Sequence, residues 1–71
     1  MGTTKGRHEK ISWILGKLEE VKIANEKARL KSFVAVGAME LFTTEKTMRE
    51  ILNMLIRAGK INRVDDWIWL T

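Results

Sequence analysis

Apolar residues recur along this chain in three stretches at helical spacing, and two short β-prone runs follow them. In the first stretch Ile11, Ile14, Leu15, Leu18 and Val21 fall three or four residues apart, while Lys10, Lys17, Glu20 and Lys22 take the other faces. That period predicts an amphipathic helix beginning near Glu9. Gly16 lies inside it. Glycine costs about 1 kcal/mol against alanine in a helix interior, so a close backbone approach is expected there.

A second helix is expected from Asn25, a good N-cap residue followed by the acidic Glu26. Its stripe is Leu30, Phe33, Val34, Gly37, Ala38 and Leu41. Taken alone, Phe33 to Val36 also suits a short buried strand. The flanking KARLK and AMEL are strong helix formers with no turn signal between them, which favours helix. Val21 to Ile23 is the expected place for a short strand linking the two helices. The third helix has the clearest signature. Thr43 or Thr44 can cap it, Glu45 suits the positive end of its dipole, and Met48, Ile51, Leu52 and Leu55 form the stripe. Gly59 closes it, because glycine readily takes the left-handed conformation just past a helix end. KINRV and WIWL then flank Asp65 and Asp66, two β-prone runs around an acidic turn, which predicts a hairpin. None of these elements can bury its apolar face alone. The expectation is an α+β domain with a three-helix core and a C-terminal two-stranded β-hairpin over its open edge.

Composition narrows the function classes. At 71 residues the chain is one domain with a thin core. It has no cysteine, so neither a disulfide nor a thiolate zinc site nor thiol catalysis is available. The lack of cysteine fits a cytoplasmic protein. His8 is the single histidine, which leaves no histidine pair for a metal. The longest apolar run, Phe33 to Met39, is far short of the roughly 20 residues that span a bilayer. The opening MGTTKGRHEK lacks the apolar stretch of a secretory signal. There is no serine–histidine–acid set and no phosphate loop, so no enzyme, cofactor or small-molecule substrate is expected. Many Lys and Glu residues without proline resemble a thermophile's composition. The net charge of +4 suits a polyanionic partner as well as it suits simple solubility. Residues 1–8 are expected to form a flexible basic arm and residues 9–71 the folded domain.

The stretch TTEKTMREILNMLIRAGKI, from Thr43 to Ile61, resembles the recognition helix and following strand of winged-helix proteins, in particular small prokaryotic and archaeal transcription regulators. The likeness lies in the Thr-capped start, the Thr47-Met48 pair, Leu52 and Leu55 in the stripe, and the Gly59-Lys60-Ile61 lead into a strand. The closing DDWIWLT resembles the returning strand of the wing. The chain departs from the family in two places. Turns between such helices often hold a glycine, whereas this one reads Glu40-Leu41-Phe42-Thr43. Groove-binding wings usually carry Arg or Lys at the tip, whereas this one carries Asp65 and Asp66, which oppose phosphate.

The resemblance implies a regulator of double-stranded DNA that reads the major groove with residues 44–58. The face opposite the stripe holds Lys46, Glu50, Asn53 and Arg57, with Arg49 at its margin. In that role Lys46, Arg49 and Arg57 meet phosphate or guanine, Asn53 pairs with adenine and Glu50 accepts from cytosine. Thr44 and Thr47 complete the set at the helix start. The alternative is an ordinary solvated face closed by a Lys46–Glu50 pair. Lys22, Lys27, Arg29 and Lys31 surround the expected start of the second helix, an end that approaches the DNA backbone in helix-turn-helix proteins. Arg63 is the hairpin's own cation, and Lys5, Arg7 and Lys10 could follow a groove or be incidental. In a strand, Trp67 and Trp69 share one face and Ile68 and Leu70 the other, so one apolar pair is left outward for an interface or for base stacking, unless the tryptophans fold over the helices and cover the core edge. Trp13 could join the indoles. With Met54 and Ile56 on the shoulders of the third helix, they favour a homodimer through the first helix and the hairpin. Two further readings stand beside DNA regulation: an adaptor module that binds protein in a larger assembly, and a non-specific nucleic-acid binder.

Overall fold

The computed structural model describes residues 6–71. Helix α1 spans Arg7–Ile23, strand β1 Ala28–Arg29, helix α2 Leu30–Glu40, helix α3 Glu45–Arg57, strand β2 Ile61–Val64 and strand β3 Trp67–Leu70. The fold is α+β, with three helices and one antiparallel sheet. That sheet has three strands in the order β1-β3-β2, so the expected two-stranded hairpin gains a third strand from between the first two helices. Ala28 faces Ile68 and Arg29 faces Trp67 across β1 and β3, while Ile61 faces Leu70 and Val64 faces Trp67 across the hairpin.

Each helix ends in the same way. Asn25, Phe42 and Gly59 take positive φ of 61°, 52° and 81° just past the ends of α1, α2 and α3. The next amide in each case bonds back to a carbonyl five residues earlier: Glu26 to Val21, Thr43 to Ala38 and Lys60 to Leu55. This is the Schellman closure, in which glycine and asparagine are the favoured left-handed residues. Asn25 therefore terminates α1 and does not cap α2, which starts only at Leu30 after the short strand. Val21 to Ile23, the stretch expected to be that strand, is the last turn of α1. The first helix also begins two residues ahead of Glu9, at Arg7, while residues 1–5 of the expected arm lie outside the described residues.

The core is made of the predicted stripes. Ile14 and Leu18 of α1, Leu30, Phe33 and Val34 of α2, and Met48, Ile51, Leu52 and Leu55 of α3 are buried. Ile61 and Ile68 join them from the inner face of the sheet. Gly16, where a close approach was expected, has open space around it; the close approach is at Gly37, against Met48 and Trp13. Met54 and Ile56 are partly buried against the core, which leaves only part of each side chain at the surface.

Candidate nucleic-acid interface

Helix α3 carries the candidate contact residues on a rigid, well-capped element. The Thr44 side chain accepts from the Thr47 backbone N–H at 3.1 Å, and its hydroxyl donates to the Thr47 hydroxyl at 3.0 Å. Both threonines are therefore engaged in starting the helix, which orients everything after them. Burial of Met48, Ile51, Leu52 and Leu55 turns the other side to water, and Lys46, Arg49, Glu50, Asn53 and Arg57 are all exposed. Among the described residues the one ion pair lies elsewhere, so Lys46 and Glu50 do not close on each other and the three cations have no carboxylate partner. Arg7 adds to this surface. Its Nη1 lies 3.7 Å from Met54 Sδ, bringing the start of α1 to the flank of α3.

The second expected basic group is arranged differently. The Leu30 N–H at the start of α2 donates to the Asp66 carbonyl at 2.7 Å, and the Asp66 carboxylate lies 3.9 Å from Arg29 Nη1. The acidic hairpin turn thus takes up the first amide of α2 and sets a carboxylate beside that helix end. Arg29 and Lys27 sit on the outer face of the sheet, with the guanidinium 4.5 Å from the Trp67 ring centroid and Lys27 Nζ 4.4 Å from that of Trp69. Lys31 remains exposed in the first turn of α2. Arg63 Nε donates to the Asp65 carbonyl at 2.8 Å, bracing the turn in which Asp65 takes a φ of 55°.

The indole question is resolved by Ile68, which is fully buried and turns Trp67 and Trp69 outward. They form one side of an open groove of about 600 Å³, bordered by Lys22, Glu26 and Lys27. Trp13 does not join them. Its ring packs on Phe33 with centroids 5.4 Å apart, and its Nε1 donates to Glu40 at 3.2 Å. Sequence reasoning missed another apolar strip. Val36 and Met39 are exposed on α2, and Phe42 beyond them is 95% exposed in a left-handed conformation. The signal was present in the glycine-less turn at Leu41-Phe42-Thr43, but the pattern did not show that the ring faces solvent.

No helix among the described residues is long and apolar enough to cross a membrane, and no cluster of three or more metal-ligating residues occurs among them. Comparisons with protein-family models, with curated proteins and with solved structures return no match.

Proposed function

We propose that the chain is a winged-helix protein that binds double-stranded DNA through α3, acting as a small regulator of the kind its Thr43 to Ile61 segment resembles. The observation that carries this reading is the outward face of α3, where Lys46, Arg49 and Arg57 are exposed and unpaired around Asn53. A helix presenting cations and an amide side chain in this way suits phosphate and base-edge contact in a major groove. The sheet order β1-β3-β2, with β1 placed between the first two helices, fits the same family.

The test is duplex affinity against salt for the wild type and for Lys46→Glu, Arg49→Glu and Arg57→Glu combined. Each neutralised phosphate contributes about 0.9 to the slope of log affinity on log salt. Three such contacts supply about 2.7, or roughly a 40-fold loss between about 50 and 200 mM. The triple variant should stay folded and lose duplex binding; unchanged affinity would overturn the proposal. A second reading, contact with another protein or a second copy of this chain, is favoured by Val36, Met39 and Phe42. Mass measurement in solution tests the second copy, with a monomer at every concentration removing the dimer.

A further inference from the structure

We propose that the outer face of the sheet is a binding site for single-stranded DNA, with bases stacking on Trp67 and Trp69 and phosphates held by Arg29, Lys27 and Lys22. This site is separate from the α3 face and does not depend on it.

The period of two along the strands builds the site. Ala28, Ile61 and Ile68 turn to the core, so Arg29 and Trp67 fall side by side on the outer face, with Val64 beyond Trp67 and Asn62 beyond Trp69. The core is closed without the indoles, since Ile68 and Ile61 seal the sheet from inside. Trp67 remains 40% exposed, and its ring is not among the side chains packed against the core. A large aromatic left outward beside a groove marks a contact surface. The charges around it identify the partner. Lys22 and Lys27 border the groove and Arg29 lies over the Trp67 ring beside it, against Glu26 at the groove and an Asp66 whose carboxylate is 3.9 Å from Arg29. A cationic groove floored by aromatic faces is the arrangement that holds single strands without reading their sequence.

Spacing decides between single strand and duplex. Residues two apart on a strand are about 6.7 Å apart. Stacked nucleotides in a duplex strand advance by about 3.4 Å. Successive bases can meet both indoles only when the strand is drawn out and unstacked, which a duplex forbids. In the free protein each indole carries a cation over its face, at 4.5 Å for Arg29 and 4.4 Å for Lys27. Stacking of a base on an indole is the stronger contact, and a displaced cation can move to the neighbouring phosphate. One strand therefore uses both parts of each pair.

The experiment is fluorescence anisotropy with a labelled oligothymidylate of about 12 nucleotides at about 50 mM salt, with indole emission read in parallel. The expected result is binding with quenched indole emission, weakened roughly 10-fold by Trp67→Ala. Lys27→Ala with Arg29→Ala should lower the salt slope by about 1.4. The α3 triple variant should bind the oligothymidylate as the wild type does. Circular dichroism checks that each variant is folded, and Trp67→Phe, which keeps a ring, should retain most of the affinity if Trp67→Ala fails to fold. The proposal is overturned by absence of binding at this salt, by unchanged affinity in a folded Trp67→Ala variant, or by an unchanged salt slope in the double cation variant. Loss of binding in the α3 variant, tighter binding of oligouridylate, or binding of polyglutamate in place of the oligonucleotide would overturn it equally.

Discussion

The contact between α2 and α3 depends on the missing side chain at Gly37, and the effect of replacing it by alanine should depend on the residue opposite. A methyl group at Gly37 would overlap Met48 Cε and lie 3.1 Å from Trp13 Cζ3, with Met48 Sδ at 3.4 Å. Two effects compete. Alanine is favoured over glycine in a helix interior by about 1 kcal/mol. Forcing an extra carbon into a packed core costs about 1–3 kcal/mol, and Met48 is fully buried, so its terminal methyl has little free space to enter. The overlap wins, and Gly37→Ala should destabilise by about 1 kcal/mol, a fall of about 4–8 °C in Tm for a domain of this size. Met48→Leu removes Cε while leaving carbon where Sδ lies, at ordinary contact distance from the new methyl. In the Met48→Leu background only the 3.1 Å approach to Trp13 Cζ3 remains, so Gly37→Ala should be near neutral, with a coupling of about 1 kcal/mol between the sites. Thermal and urea unfolding of the four proteins in the cycle measure it. An equal effect of Gly37→Ala in both backgrounds would show that Met48 Cε is not the obstacle.

Two further substitutions probe the helix ends. Thr44→Ala removes the side chain that accepts from Thr47 and should cost about 1 kcal/mol, read as a lower Tm; no change would mean that the cap is redundant with the bonds around it. Phe42→Gly should be neutral or stabilise by up to about 1 kcal/mol, because the left-handed backbone disfavours a side chain and the exposed ring has little contact to lose. A loss of more than about 1 kcal/mol in urea unfolding would reveal a contact of the ring in the folded state.

Legibility in the sequence followed how local each feature is. The cap at Thr44, the stripe from Met48 to Leu55 and the closure at Gly59 all lie within one helix, and all three appear where the pattern placed them. Asn25 misled because asparagine suits two opposite roles. Its side chain can cap a helix start, and its backbone tolerates the left-handed conformation that ends one. Only the bonds from Asn25 and Glu26 back into α1 settle which role it takes. Strand β1 is two residues long and exists through its pairing with Trp67 and Ile68, far along the chain, so no local pattern could reveal it. The same pairing moved Arg29 and Lys27 from an expected helix terminus onto two indoles. Gly16 and Gly37 look alike as glycines within helical stripes, and only the position of Met48 distinguishes them.

The acidic turn limits how much of this molecule can meet a duplex. Asp66 closes the start of α2 through its carbonyl and holds Arg29 through its carboxylate, while Arg63 braces the turn from the other side. These roles explain acidic residues at a tip where a groove-binding wing would need cations. Under the proposed DNA-binding reading, duplex contact would rest on Lys46, Arg49 and Arg57, with Arg7 at the flank, and the tip would contribute repulsion. So few phosphate contacts place one copy near the non-specific range of about 10⁻⁴–10⁻⁶ M at physiological salt. Reaching the 10⁻⁸ M or tighter that is typical of specific binding needs roughly another 10²–10⁴-fold, the gain from joining a second contact to the first. A second copy could supply it through Val36, Met39 and Phe42. The outer sheet face could supply it within one chain, and DNA with both duplex and single-stranded segments would then be preferred over either alone. The two routes separate by stoichiometry: the first requires two chains per DNA, the second only one.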